Sequence, residues 1–419
     1  MAGATPEQTR VTFLHTGNPT GLKFLVEHGD ARCLFDFGRE HAPGRTPFSM
    51  GLEPRPGREI EDLLAVGAAP HLDGVYARDG WDGRSHVFLT HMHLDHTALV
   101  RYLHPDVPLY YPAGMEPVRA DAAACGYLPW REPAGTPLDD GTEFDVGPIR
   151  VRSVAVDHDT PGSTGYLITA PDLAIGFTGD HRRHGLHPEL TEAFAAAVRG
   201  CDLLIEECVG LSLLVPPDPE PEVAPPPLLT EAEAIRFMTQ AIANCSGLAV
   251  VNIYGMNRER IAGVADGCRA SGRALVMDPG SAGLSGCSMV LDPDAVAAEP
   301  HRHCVQLNFE SLPALIDLRP PPGSIYLHAG GAPIGPHDPA WNVMLAWTQA
   351  FGLEFLPVFC SGHSRPEDLE RLVAEVAPKV VAPVHTRAPE LLQAPGVRKV
   401  LPEAGRVYTT DDLRRLGRA

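Results

Sequence analysis

The stretch LTHMHLDHTALV, residues 89–100, gathers His91, His93, Asp95 and His96 at the end of an apolar run. Imidazole and carboxylate groups are good ligands for zinc and similar ions. His91 and His93 are two apart, as are His93 and Asp95. Side chains two apart in an extended segment point the same way, whereas the adjacent Asp95 and His96 point differently. One short loop can therefore offer two ligands to one ion and two to its neighbour. Three histidines and an aspartate directly after a buried strand are a metal site rather than a polar surface loop.

Such a loop needs a rigid support. HVFLT, residues 86–90, is a β-favouring apolar run and reads as a buried strand, with a helix expected over roughly 94–104. RVTFLHT, GLKFLVEH and RCLFDFG read as strands before it, followed by a Gly/Pro-rich loop and the short helix EIEDLLAVG. PLYYP, IRVRSVAV, TGYLITA, LAIGFTG and DLLIEE read as later strands, with TEAFAAAVRG a helix. The proline- and acid-rich segment 213–229 reads as a domain boundary. After it, helices and strands alternate from TEAEAIRFMTQAIANC to DPAWNVMLAWTQAFG. The alternation resumes with LEFLPVF, RPEDLERLVAEVA and KVVAPVH. This order predicts an α/β protein with an inserted domain.

HMHLDH resembles the HxHxDH signature of the metallo-β-lactamase fold hydrolases. By that resemblance His158 in VDHDTPGSTG, Asp180 in IGFTGDHRRHG and Asp36 in LFDFG stand at three further motifs. Asp36 would steady the ligand loop. SGHSRPEDLERLVAEVAPKVVAPVHT, residues 361–386, looks like the segment that marks the β-CASP branch, similar to ribonuclease J and RNA 3′-end processing nucleases. The implied architecture is a metallo-β-lactamase αββα sandwich over residues 1–208 and 346–419, with an inserted α/β β-CASP cap over 209–345.

The resemblance implies a division of labour. His91, His93 and His158 would hold one ion and Asp95, His96 and His385 a second, with Asp180 bridging. A hydroxide shared by two such ions would attack a phosphorus or carbonyl centre. Asp95, Asp180, Glu206 and His363 would be catalytic, and Ser361, Gly362 and His363 would contact substrate phosphate. Zinc is expected from the nitrogen-rich donor set, with manganese or iron as alternatives. His181 reads equally as a supporting donor or a rim group, and His184 and His187 read as surface residues.

Composition bears on the substrate. Acidic residues outnumber basic ones, 53 to 34, for a net charge of -19, and the lysines are Lys23, Lys379 and Lys399. Such a chain is a poor general polyanion binder. The expected cap has no lysine, and its arginines are Arg236, Arg258, Arg260, Arg269, Arg273, Arg302 and Arg319. Arg258 and Arg260 read as solvated helix charges or, less readily, as cleft residues. Little chain follows PVHT, so the extra C-terminal domain of ribonuclease J is not expected.

Nine cysteines, none in a CxxC pair, point to a reducing compartment. With neither a leader-like N-terminus nor a membrane-length apolar run, the expectation is a cytoplasmic protein without membrane contact. The leading expectation is a phosphodiesterase acting on RNA or single-stranded nucleic acid. The alternative is hydrolysis of a small-molecule ester, amide, lactone or phosphodiester. An inactive scaffold and a di-iron oxygen-using enzyme are further readings. Relatives often dimerise, so a homodimer is an open expectation.

Overall fold

The computed structural model describes residues 7–17, 20–49, 51–128, 130–131, 133–215 and 227–418. Most of the expected boundary segment at 213–229 lies outside these residues. Two seven-stranded sheets face each other. In spatial order the first holds Val407–Thr409, Arg10–His15, Lys23–His28, Ala31–Phe35, Ser85–Phe88, Leu109–Pro112 and Thr136–Leu138. The second holds Arg398–Lys399, Val380–Val384, Leu203–Glu207, Leu173–Phe177, Thr164–Ala170, Ile149–Ala155 and Glu143–Val146.

A cluster of aromatic residues fills the space where the sheets meet. Phe24 stacks on Phe35 at 5.0 Å, Phe35 on Phe88 at 5.5 Å, and Phe177 meets Phe24 edge-on at 4.8 Å. Helices Glu59–Ala65 and Glu116–Ala124 cover the outer face of the first sheet. Pro188–Ala197 and Pro366–Val376 cover the second. This is the expected αββα sandwich. Among the described residues no helix is long and apolar enough to cross a membrane.

A third, five-stranded sheet is wholly parallel, in the order Ala274–Met277, His303–Gln306, Ala249–Ile253, Ile325–Ala329, Glu354–Pro357. Ala249–Ile253 and Ile325–Ala329 are buried at every position, as their mostly apolar sequences anticipate. The strand His303–Gln306 was not anticipated, because its histidine and glutamine mask the apolar pattern. The third sheet also corrects the expected boundary at 345. Glu354–Pro357 pairs in parallel with Ile325–Ala329, and the helix Ala340–Ala350 straddles that boundary. The inserted unit therefore runs past 357. It leaves and re-enters the sandwich between neighbouring parallel strands, since Leu203–Glu207 pairs directly with Val380–Val384.

A buried ionic cluster fastens the inserted unit down. Glu231 opens the helix Glu231–Asn244, which Thr230 and Glu233 cap reciprocally. Its carboxylate accepts from Arg260 Nε at 2.6 Å and Nη2 at 2.7 Å, and from Arg182 Nη1 at 2.7 Å. Arg182 comes from the sandwich and also reaches Asp157 at 3.3 Å. Arg260 is thus buried in this cluster, neither solvated nor lining a cleft as its sequence position suggested. Arg258 is likewise paired, with Asp121.

Burial opposes the charge of Glu231, but Arg260 and Arg182 hold its pKa down at about 2. Removing one partner from a buried pair strands the others. Glu231→Ala is expected to cost about 3–5 kcal/mol, read as a lower urea midpoint at unchanged slope. The carboxylate's contribution is present above the ordinary value of 4.5 and is lost as pH falls toward 2.

Candidate metal centre

Strand direction brings the site residues to one edge. Ala31–Phe35 and Ser85–Phe88 run parallel, as do Leu173–Phe177, Leu203–Glu207 and Val380–Val384. Asp36, the His91–His96 loop, Asp180 and His385 all follow the carboxyl ends of these strands. The helix expected over 94–104 is shorter, Leu94–Thr97, followed by a 3-10 turn at Val100–Tyr102. Gly38 lets the Asp36 loop press onto Asp95, whose carbonyl fills the space a side chain would need. Asp36 and His385 both have positive φ, at 55° and 57°. Non-glycine residues hold that conformation at a cost that concentrates at functional sites.

Two groups of donor atoms converge. His91, His93, His158 and Asp180 form one, and Asp95, His96 and His385 the other, with donor atoms within 4.8 Å of one another in each. Asp180 sits between them. Its Oδ2 lies 3.5 Å from His91 Nε2, 3.3 Å from His96 Nε2, 3.9 Å from His158 Nε2 and 3.7 Å from His385 Nε2. Among the described residues neither Asp180 oxygen receives a well-formed hydrogen bond, and His91 Nε2 is likewise buried without a partner.

The outer hydrogen bonds set the tautomers. Asp36 accepts from Thr90 N at 2.8 Å, from the Thr90 hydroxyl, and from His96 Nδ1 at 2.7 Å. The Thr90 hydroxyl therefore accepts from His91 Nδ1 at 2.9 Å. His158 Nδ1 donates to the Gly362 carbonyl at 2.6 Å. Each bond leaves Nε2 with its lone pair turned inward. His96 Nε2 then faces His385 Nε2 at 3.2 Å, and His158 Nε2 faces His93 Nδ1 at 3.3 Å. Facing imidazole nitrogens at such distances can share either a proton or a metal ion, and with the Asp180 carboxylate between the two groups the residues present fit a metal.

The electrostatics point the same way. Burial holds His91 well below the usual imidazole value and His158 at about 3, neutral as ligands must be. For His96 the order reverses: burial opposes charge, but Asp180, Asp95 and Asp36 outweigh it and raise its pKa. That surplus negative field is what a bound cation would take over.

The acidic strand end corrects a sequence expectation. Glu206 is fully buried, and neither carboxylate oxygen has a hydrogen-bond partner among the described residues. Burial and the neighbouring Glu207 push its acidity down. Glu207, one residue on and therefore on the opposite face of the strand, is the residue that reaches the site. Its Oε1 lies 3.3 Å from His363 Nδ1 and accepts from His181 N. Burial opposes charge on His363, but Glu207 and Asp180 raise its pKa to about 9. Ser361 Oγ accepts from His363 N at 3.0 Å, while the Gly362 carbonyl is already engaged by His158.

His181 is buried, with Nδ1 3.0 Å from Ser364 Oγ. His184, read as a surface residue, is also buried, and its Nε2 donates to the Ser361 carbonyl at 3.0 Å. His187 is half-exposed, between Glu189 and Glu259.

Two residues at the site escaped the sequence reading. Asp159 lies 3.2 Å from His93 Nε2 and 3.3 Å from His158 Nε2. The second acid of VDHD was its signal. Tyr254 follows the third sheet's central strand and places its ring 5.2 Å from His93. No local pattern marks it, because only the tertiary fold brings it there.

Comparison with known proteins adds three findings. Residues 60–213 match a beta-lactamase superfamily domain, a span that includes His91 to Asp180 but neither His363 nor His385. Ribonuclease J of Sinorhizobium meliloti is 26% identical over 200 residues, 46% of this chain and 33% of that protein. The chain thus spans a third of that relative's length. A crystal structure of a protein of unknown function from Enterococcus faecalis V583 superposes with a TM-score of 0.81 at 28% identity, covering 96% of this chain and 100% of that one.

Asp36→Ala is expected to weaken metal binding about 10–100-fold, since it frees both Thr90 and His96. Competition with a chromogenic chelator measures it, and wild-type affinity in the variant contradicts the role.

Proposed function

We propose, for a chain that carries a metallo-β-lactamase domain and has the make-up of a metal-dependent hydrolase, that its reaction is hydrolysis of a phosphodiester. RNA or single-stranded nucleic acid is the substrate class. The observation that carries this reading is His363, an imidazole held cationic by Glu207 at 3.3 Å and lying 3.8 Å from Asp180. A fixed cation beside a metal site suits a phosphate oxygen.

His91, His93, His158 and Asp180 would hold one ion, and Asp95, His96 and His385 the other. Zinc suits the donor set, with manganese or iron as alternatives. Bound there, two ions would supply activation of water near neutral pH and neutralisation of developing charge. His363 would donate to the phosphate through the nitrogen that Glu207 leaves free. Glu207 fixes its orientation and charge. Ser361 fixes its backbone, and Gly362 orients His158. Asp159 steadies His93 and His158 on the substrate side. We read the third sheet as a β-CASP cap, supported by its place between Glu207 and His363 and by the SGHS and PVH segments. The similarity to a ribonuclease J favours the nucleic-acid reading.

The cap's arginines favour a second reading. Arg258 pairs with Asp121, Arg260 with Glu231, Arg269 with Asp266 and Arg302 with Glu299. Arg273 donates to the carbonyls of Gly247, His303 and Cys245. Few cations remain for a long phosphate track, which favours a small phosphodiester, ester, amide or lactone.

The test uses metal-loaded protein with 5′-monophosphorylated RNA and with bis(p-nitrophenyl) phosphate. Wild type is expected to release nucleotides, Asp180→Ala to be inactive, and His363→Ala to lose about 10²–10⁴-fold in kcat at unchanged metal content. Cleavage of the small diester alone selects the second reading. Cleavage of neither removes the phosphodiesterase proposal.

A further inference from the structure

Lysine is scarce, and two of the three lysines have clear surface roles. Lys379 pairs with Asp202 at 2.6 Å, and Lys399 donates to the carbonyls of Glu390 and Leu392. Lys23 differs. It opens the strand Lys23–His28, is 3% exposed, and donates to the Gly21 carbonyl at 2.7 Å. Asp95, Glu40 and Asp36 act on it through their fields rather than by contact. An ammonium has three donors, so a buried one with a single bond among the described residues is under-satisfied there.

Lys23 lines a pocket of about 100 Å³, together with His15, Arg39, Glu40 and the apolar Leu14 and Phe48. The Arg39 guanidinium has no ion-pair partner among the described residues. His15 Nδ1 accepts from Gly17 N at 3.1 Å, so Nε2 carries its proton. That nitrogen lies 4.0 Å from Glu40. Glu40 offsets one cationic charge, so the side chains that line the pocket carry one net positive charge, with Asp36 and Asp95 acting from outside the lining. The pocket thus combines open N–H donors from an ammonium, a guanidinium and an imidazole.

We propose that this pocket is an oxyanion site that takes a phosphate group. A single water needs roughly 10–15 Å³ of such space, so the volume has room for a tetrahedral oxyanion. Donors from three separate segments suit several oxygens at once. The apolar residues limit the surrounding water and strengthen each contact.

The pocket stands back to back with the second ligand group. Arg39 N donates to the Leu94 carbonyl at 3.3 Å, beside Asp95. His385 N donates to the Thr16 carbonyl at 2.8 Å, next to His15. The site nevertheless uses none of the metal ligands, and its test needs no cleavage reaction.

Inorganic phosphate and AMP are each titrated calorimetrically into the metal-loaded full chain, as wild type, Lys23→Met and Arg39→Met. The expected result is a binding class that weakens about tenfold or more in both variants at unchanged metal content. The same loss with AMP identifies a phosphate carried on a nucleotide, and loss with inorganic phosphate alone identifies the free ion. Identical isotherms in all three proteins, or no binding of either probe, overturn the proposal. If Lys23→Met does not fold, Arg39→Met, at the pocket rim, decides alone.

Discussion

A carboxylate buried among imidazoles, with neither oxygen properly hydrogen-bonded, is unstable on its own. Asp180 is in that position, and the arrangement of the site answers to it. His96, His91 and His158 have their outward nitrogens occupied by Asp36, Thr90 and Gly362, while His385 turns Nε2 toward Asp95 and Asp180. The inward nitrogens of those three present lone pairs. Negative charge and lone pairs in one dry volume amount to a demand for cations. Two parallel-strand edges, fixed by an aromatic core, keep the groups from relaxing apart.

The inserted unit extends the same logic outward. Its salt cluster joins Glu231 and Arg260 to Arg182, which follows Asp180 by two residues. The fastening of the inserted unit and the candidate metal centre therefore share one stretch of backbone. The inserted unit sends Tyr254 to His93, and the Ser361–His363 loop that follows it reaches His158 and Glu207. A hydrolytic site covered in this way keeps its electrostatics strong by limiting water.

Much of this was legible in the residues. HMHLDH, VDHD, FTGD and PVH each end an apolar strand, and a strand end is where local pattern and tertiary position coincide. Legibility failed where a choice depended on the partner element. LLIEE offers two adjacent carboxylates, and the two-residue period says that they face opposite ways without saying which faces the site. Glu207 rather than Glu206 is settled by the register of Leu203–Glu207 against its neighbours. His184 and Arg260 looked like solvent residues because their burial comes from segments far away in the chain. The domain boundary slipped past 345 because LEFLPVF reads as a strand of either sheet, and only pairing with Ile325–Ala329 assigns it.

The place of the insertion sets an order of assembly. The first ligand group, His91, His93, His158 and Asp180, lies wholly before the inserted unit, whereas the second needs His385 from beyond it. The strand carrying His385 pairs with Leu203–Glu207 across the whole length of the inserted unit. Pairing across so wide a gap in sequence is slow compared with local closure. A nascent chain would therefore own one complete ion site before the other exists. Metal captured there would favour the half-built sandwich, because ligand binding adds to folding free energy. Docking of the last strand would then coincide with arrival of the second ion, making metal supply a step in folding as well as a requirement of catalysis.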